Sequence, residues 1–284
     1  MRLFDTHCHI QFQAYKEDRA EVLDRSLEKG LMMNMVGTQK DTSKMAVQLA
    51  EKYENIYASI GTHPIHLHST HVDEEETSFQ SREENFDWEY YADLVRHPKV
   101  VAIGECGLDL FHVPKDMTPD QVLIKQKEVF IDHIRFALEF DKPMVIHCRD
   151  AHDQLIDLLW GFKKEEGKLP QGTIHCYTSN WEHARQYIDL GFYLGFTGVI
   201  TFPAKKTDPK PQEDLLEVVR RAPLERILIE TDSPYLTPQV NRGKRNEPWL
   251  VEEVVKKIAE LREMTAEEAA LTTTQNAKRL FGIA

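Results

Sequence analysis

Apolar and polar positions follow two rhythms along this chain, and the two alternate almost to the C-terminus. Compact apolar runs, the pattern of buried strands, fall near residues 2–9, 31–37, 56–61, 100–105, 143–148, 172–177, 192–197 and 227–232. Between them lie stretches of helical period. Over 21–31 the apolar positions include Val22, Leu23 and Leu27; over 122–140 they include Val129, Phe130, Ile134, Ala137 and Leu138. Eight strands alternating with helices predict an α/β protein, a (β/α)8 barrel of TIM type. Two additional C-terminal helices are expected over 248–263 and 265–280, with Pro248 at a first helical position and Thr265 forming a capping box with Glu268. No repeat or low-complexity linker interrupts the pattern, so a single domain over 1–284 is expected.

Five of the apolar runs end on a histidine or a carboxylate. They are Leu3-Phe4-Asp5-Thr6-His7-Cys8-His9, Val100-Val101-Ala102-Ile103-Gly104-Glu105, Pro143-Met144-Val145-Ile146-His147, Gly172-Thr173-Ile174-His175 and Ile227-Leu228-Ile229-Glu230-Thr231-Asp232. Side chains delivered from the C-terminal ends of barrel strands converge on one active-site face. His7 and His9 lie two residues apart, on the same side of a strand, which suits gripping one ion; alone the pair is weak evidence. Glu105, His147, His175 and Asp232 change the picture, because acids ending apolar strands are costly to bury without a cation. Four imidazoles and two carboxylates suit Zn²⁺, Mn²⁺ or Fe²⁺, with Mg²⁺ less favoured by the imidazoles. The expectation is a metal-dependent hydrolase.

The bulk composition narrows this reading. The formal net charge of −12 argues against a surface that coats duplex nucleic acid; a nucleic-acid enzyme would need a local basic site and bound cations. No segment approaches the roughly 18 uninterrupted apolar residues of a membrane span, and Asp5 comes too early for a secretory leader, so a cytoplasmic location is expected. Cys8, Cys106, Cys148 and Cys176 each directly follow His7, Glu105, His147 or His175. Neighbours on a strand face opposite ways, so the cysteines are expected in the helical layer as reduced, buried apolar groups. Two stretches read as long loops after strands. The loop at 62–86 carries the acidic runs Asp73-Glu74-Glu75-Glu76 and Ser81-Arg82-Glu83-Glu84, read as a solvated surface; the one at 203–212 carries Lys205, Lys206 and Lys210 and is either a solvated turn or a substrate rim.

Ordered along the chain are the motifs Asp5-Thr6-His7-Cys8-His9, Gly61-Thr62-His63-Pro64, Gly104-Glu105-Cys106-Gly107-Leu108-Asp109, His147-Cys148-Arg149-Asp150-Ala151, His175-Cys176-Tyr177, Glu230-Thr231-Asp232-Ser233-Pro234-Tyr235-Leu236 and Arg242-Gly243-Lys244-Arg245-Asn246-Glu247-Pro248. Together they resemble the TatD family of metal-dependent deoxyribonucleases, a branch of the amidohydrolase-like barrels. The resemblance implies two divalent metal ions: His7, His9, Glu105 and Asp232 holding one, and Glu105, His147 and His175 the other, with Glu105 as the bridge. Two ions about 3.5–4 Å apart can activate water and stabilise both oxygens of a displacement at phosphorus. Glu105 and Asp232 are then the catalytic carboxylates, Asp232 placed to orient or deprotonate the water. His63 and Arg149 either stand behind the ligands or face the substrate; equally, His63 makes a loop hydrogen bond and Arg149 pairs with Asp150. Asp109 reads as a helix cap. The chain departs from the usual family pattern at Leu110-Phe111, where a tyrosine is common, and in the length of the 203–212 loop.

Arg242, Lys244 and Arg245 form the tight basic cluster on the loop after the Asp232 strand, where they could bind phosphate as a fork plus a point charge, the alternative being a solvated loop. The leading expectation is a deoxyribonuclease acting on strand ends or short single strands, 3′ to 5′, with no obligate protein partner. The rival is an amidohydrolase cleaving a small amide or ester, since one site can activate water for either. A non-catalytic binding barrel ranks last, because six converging ligands without a cation would destabilise a scaffold.

Overall fold

The structure, a computed structural model, describes residues 2–69, 71–74, 77–81 and 83–284, with the backbone alone for 71–74 and 77–80. The chain runs through β1 (Phe4–Cys8), α1 (Arg19–Glu28), β2 (Met32–Val36), α2 (Lys40–Ala50), β3 (Ile56–Ile60), β4 (His71–Glu74), β5 (Thr77–Gln80) and α3 (Trp88–Leu94). It continues through β6 (Val100–Asp109), α4 (Pro119–Glu139), β7 (Met144–Arg149), α5 (His152–Glu166), β8 (Gly172–Ile174), α6 (Trp181–Leu190), β9 (Tyr193–Phe196), α7 (Lys210–Arg221), β10 (Ile227–Ile229), α8 (Val251–Leu261) and α9 (Ala266–Phe281). Eight strands form one parallel sheet in the order β1-β2-β3-β6-β7-β8-β9-β10. The sheet closes beyond β10, where Asp232 N–H donates to the His7 carbonyl and His9 N–H donates to the Ser233 carbonyl, each at 2.8 Å. The expected barrel and its eight strands are therefore present, and the closing hydrogen bonds lie beside the predicted ligands.

The barrel interior changes character along its axis. At the N-terminal end Phe4, Met32, Val101, Val145, Tyr193 and Leu228 form an apolar cluster with Leu280 and Phe281 of α9, which stopper the barrel; the Phe4 and Phe281 rings lie 5.7 Å apart. Two residues further along their strands, on the same face, Thr6 and Asn34 bring polarity: Asn34 Nδ2 donates to the Thr6 carbonyl at 3.1 Å and to Ser59 Oγ at 2.8 Å. The C-terminal end is left to the charged residues. The larger apolar cluster lies between sheet and helices and takes in Cys8, Cys106 and Cys148. Cys176 departs from the expectation, being half-buried with its sulfur 3.5 Å from Thr197 Oγ1 rather than in that layer.

Four other expectations are corrected. Part of the 62–86 segment is an antiparallel hairpin, β4 with β5, in which Val72 stands opposite Phe79; Glu75, Glu76 and Arg82 lie outside the described residues. Glu83 and Glu84 are not merely solvated: Glu83 pairs with Lys125 at 2.7 Å and Glu84 accepts the Lys40 backbone N–H at 2.8 Å. The 248–263 helix opens as a 3-10 turn, Pro248–Leu250, before α8. The strand that carries Glu105 runs four residues past it to Asp109, so Asp109 caps no helix; Thr118 caps α4. Of the 203–212 loop, residues 203–209 form an exposed turn bridged between Lys205 and Asp208, and Lys210 already opens α7.

Candidate metal centre

Six predicted ligands converge at the C-terminal mouth of the barrel around Glu105. Glu105 Oε2 faces β1, 3.4 Å from His7 Nε2 and 3.8 Å from His9 Nε2. Its other oxygen, Oε1, faces the opposite side, 3.2 Å from His147 Nδ1 and 3.3 Å from His175 Nε2. Asp232 Oδ1 completes the first side at 3.2 Å from His9 Nε2 and 3.6 Å from His7 Nε2. The donor atoms gather into overlapping groups within 4.8 Å: His7 with His9 and Asp232, His7 with Glu105 and His175, and His63 with Glu105 and His147. No cysteine belongs to a group of this kind among the described residues.

Which nitrogen each ring offers follows from what holds its other side. His9 Nδ1 donates to the Val36 carbonyl at 2.7 Å, leaving Nε2 as a lone pair toward Asp232. His175 Nδ1 donates to Glu230 Oε1 at 3.0 Å, and His147 Nε2 donates to Asp109 Oδ2 at 3.1 Å. Both rings therefore turn a bare lone pair to Glu105 Oε1. His63 is different: its Nδ1 accepts the Ile65 N–H at 3.1 Å, so its proton sits on Nε2, which donates to Glu105 Oε1 at 3.3 Å. His63 thus makes the expected loop hydrogen bond and also steadies Glu105. That tautomer makes it a donor to the carboxylate rather than a ligand, despite its place in the cluster.

Lone pairs and carboxylate oxygens at 3.2–3.3 Å repel unless a proton or a cation lies between them. The protonation tendencies report that demand. Burial disfavours charge on His175 and His147, yet Glu230 and Glu105 hold His175 well above the ordinary imidazole range, and Asp109 and Glu105 raise His147. Burial likewise opposes ionisation of Glu105 and Asp232, but the surrounding histidines outweigh it and hold both carboxyls low. His7, by contrast, is kept neutral by burial and by His175 stacked at 3.7 Å. Imidazole and carboxylate donors so arranged fit divalent cations.

Two supporting residues were not singled out in the sequence. Asp109 was read as a helix cap, but its carboxylate is fully buried and holds His147, His112 and the N–H groups of Phe111 and His112. Glu230, also fully buried, positions His175 and accepts the Cys176 N–H. Gly195 makes room for it, since a Cβ there would meet Glu230 Oε2 at 2.5 Å. The predicted substrate contacts divide. Arg149 lies over the Phe111 ring at 3.7 Å, and exposed Arg242 lies over the Phe202 ring at 4.6 Å. Lys244 is exposed as well. Arg245 is turned aside: its guanidinium forks onto Asp18 and rests on the Tyr15 ring at 4.4 Å, so the three-cation cluster reduces to Arg242 and Lys244.

The family described as TatD related DNase matches this sequence over residues 4–282. The chain belongs to that family. Among TatD-family relatives, the protein of Bacillus subtilis named uncharacterized metal-dependent hydrolase YabD is 43% identical over 282 residues, covering 99% of each chain. The protein of Citrobacter koseri named 3′-5′ ssDNA/RNA exonuclease TatD is 33% identical over 290 residues, covering 99% of this chain and 100% of its own. The crystal structure of the Escherichia coli TatD homologue YjjV superposes with a TM-score of 0.79 at 29% identity, over 99% of this chain and 98% of that one. Among the described residues no helix is long and apolar enough to cross a membrane.

Proposed function

We propose that this protein is a metal-dependent phosphodiesterase that shortens single-stranded DNA from its 3′ end, working with two divalent ions. The observation that carries the reading is the division of Glu105, whose two oxygens serve donor sets on opposite sides. His7, His9, Glu105 and Asp232 would hold one ion and Glu105, His147 and His175 the other. Such ions supply Lewis-acid charge for water activation and for the oxygens at phosphorus. The chain's own groups do the rest. Asp232, with 15% of its side chain exposed against 4% for Glu105, is the carboxylate water can reach, and it takes the proton from the attacking water. The His63 Nε2 proton steadies Glu105, while Asp109 and Glu230 lock the rings of His147 and His175. Arg242 and Lys244 attract the phosphate backbone at the rim. The similarity to relatives named as ssDNA/RNA exonucleases supports nucleic acid as the substrate class, RNA included.

The test is end-labelled substrate with protein stripped by chelator and then given Mn²⁺, Mg²⁺ or Zn²⁺. Release of nucleotides from the 3′ end, abolished by chelation and restored by metal, is the expected result. Turnover of an amide or ester panel with intact DNA would overturn the reading in favour of the amidohydrolase.

A further inference from the structure

We infer that Phe111 is the stacking platform for the terminal nucleobase of the bound strand, with Arg149 as its fixed backing. The inference rests on the nucleic-acid reading above and adds the base as something the site recognises.

Phe111 is 55% exposed, one of few large apolar side chains so placed among the described residues. It stands at the barrel mouth, two residues after Asp109, and three contacts fix it there. Its N–H donates to Asp109 Oδ1 at 2.9 Å, and the other oxygen of that carboxylate meets His147 at 3.1 Å. The ring is thereby tied to the residue that orients a predicted ligand. Arg149 covers one face with its guanidinium carbon 3.7 Å from the ring centroid. That approach is built into the sheet, because Asp109 pairs with Arg149 in the β6–β7 register and Leu110 N–H donates to the Arg149 carbonyl at 2.9 Å. Finally, the His112 ring braces Phe111 at 81° with centroids 4.9 Å apart.

An exposed aromatic ring held this way gains little by contact with water and loses little entropy on stacking, since its rotamer is already set. Nucleobases stack on aromatic side chains whatever their sequence, because every base has a π-face. On a protein of net charge −12, long-range attraction for a strand is weak, so a stacking contact beside the centre supplies grip that charge does not.

The experiment uses the full chain and a single-stranded oligodeoxynucleotide carrying 2-aminopurine as its 3′-terminal base, with a second strand whose terminal nucleotide is abasic. Fluorescence is read on chelator-treated protein, and kcat/KM on metal-restored protein. The expected result is quenching of 2-aminopurine by the wild type and weaker binding by Phe111→Leu, by about 5- to 100-fold. Phe111→Trp should restore it, and the abasic strand should bind weakly and equally to all three. A Phe111→Leu protein that binds the base-bearing strand like the wild type, or that loses the abasic strand by the same factor, overturns the platform. Cleavage of both strands at equal kcat/KM by the wild type overturns the platform while leaving the nuclease reading in place. A wild type that neither binds nor cleaves either strand overturns both.

Discussion

In the proposed reaction the chemistry of the centre depends on Glu105, whose two oxygens face donor sets on opposite sides. Replacing one oxygen of Glu105 by an amide nitrogen leaves one donor set facing N–H groups instead of an anion. Glu105→Gln is expected to lower bound divalent metal per chain and turnover together, as read by elemental analysis beside the nuclease assay; an active variant with unchanged metal content would remove Glu105 from its bridging place. Asp109 acts one step back, through His147. Asp109→Asn should cost about 10- to 100-fold in metal affinity or activity while the barrel stays folded, because a neutral amide holds the His147 ring more weakly. Retention of both properties would show that His147 needs no such support. Cys8, Cys106, Cys148 and Cys176 carry no comparable role. Burial raises all four thiols, those of Cys148 and Cys176 to about 12, so none offers a thiolate at neutral pH.

Elements reach the centre through buried histidines as well. His133 of α4 donates from Nδ1 to the Val129 carbonyl at 2.8 Å and accepts the Thr62 N–H on Nε2 at 3.1 Å, fastening the end of β3 beside His63. Burial pushes this imidazole down to about 4, so the folded protein refuses a proton that the unfolded chain accepts near 6.5. The contribution is complete above the unfolded value and is lost as pH falls from about 6.5 toward 4, by up to about 3 kcal/mol. Urea unfolding of chelated protein at pH 7.5 and pH 5 checks it: His133→Gln should lose less stability between the two than the wild type. Equal losses would mean that His133 titrates alike in both states.

At the scale of the molecule, the proposed polyanionic substrate would meet a chain of net charge −12 through a small rim of cations. Arg242 and Lys244, on the loop after β10, are the exposed members of the sequence cluster, whereas Arg245 is held by Asp18. If both contact phosphate, Arg242→Ala with Lys244→Ala should reduce the slope of log affinity against log salt by roughly 0.7 per lost contact on single strands. Arg245→Ala should leave that slope unchanged and instead loosen the tie to Asp18. The reverse pattern would place the phosphate contact at Arg245.

Much of this was legible in the chain before folding. The alternation of strand and helix periods specified the barrel, because each rhythm stabilises only one kind of element. Strand ends carrying His7, His9, Glu105, His147, His175 and Asp232 pointed to one face, since parallel strands of a barrel share a direction. The β4–β5 pairing was not legible: its polar strands have two apolar residues, Val72 and Phe79, and the sequence between them holds no glycine or asparagine. Other facts existed only once strands distant in sequence met. Asp109 and Glu230 became supports for His147 and His175 through pairings 38 and 55 residues apart, and nothing local distinguishes them from a cap or a strand-end acid. The proton on His63 Nε2 was set by one backbone N–H, and the withdrawal of Arg245 by an aspartate 227 residues away. Periodicity determines which face a side chain takes; which partner it finds there is a matter of distances that only the closed barrel creates.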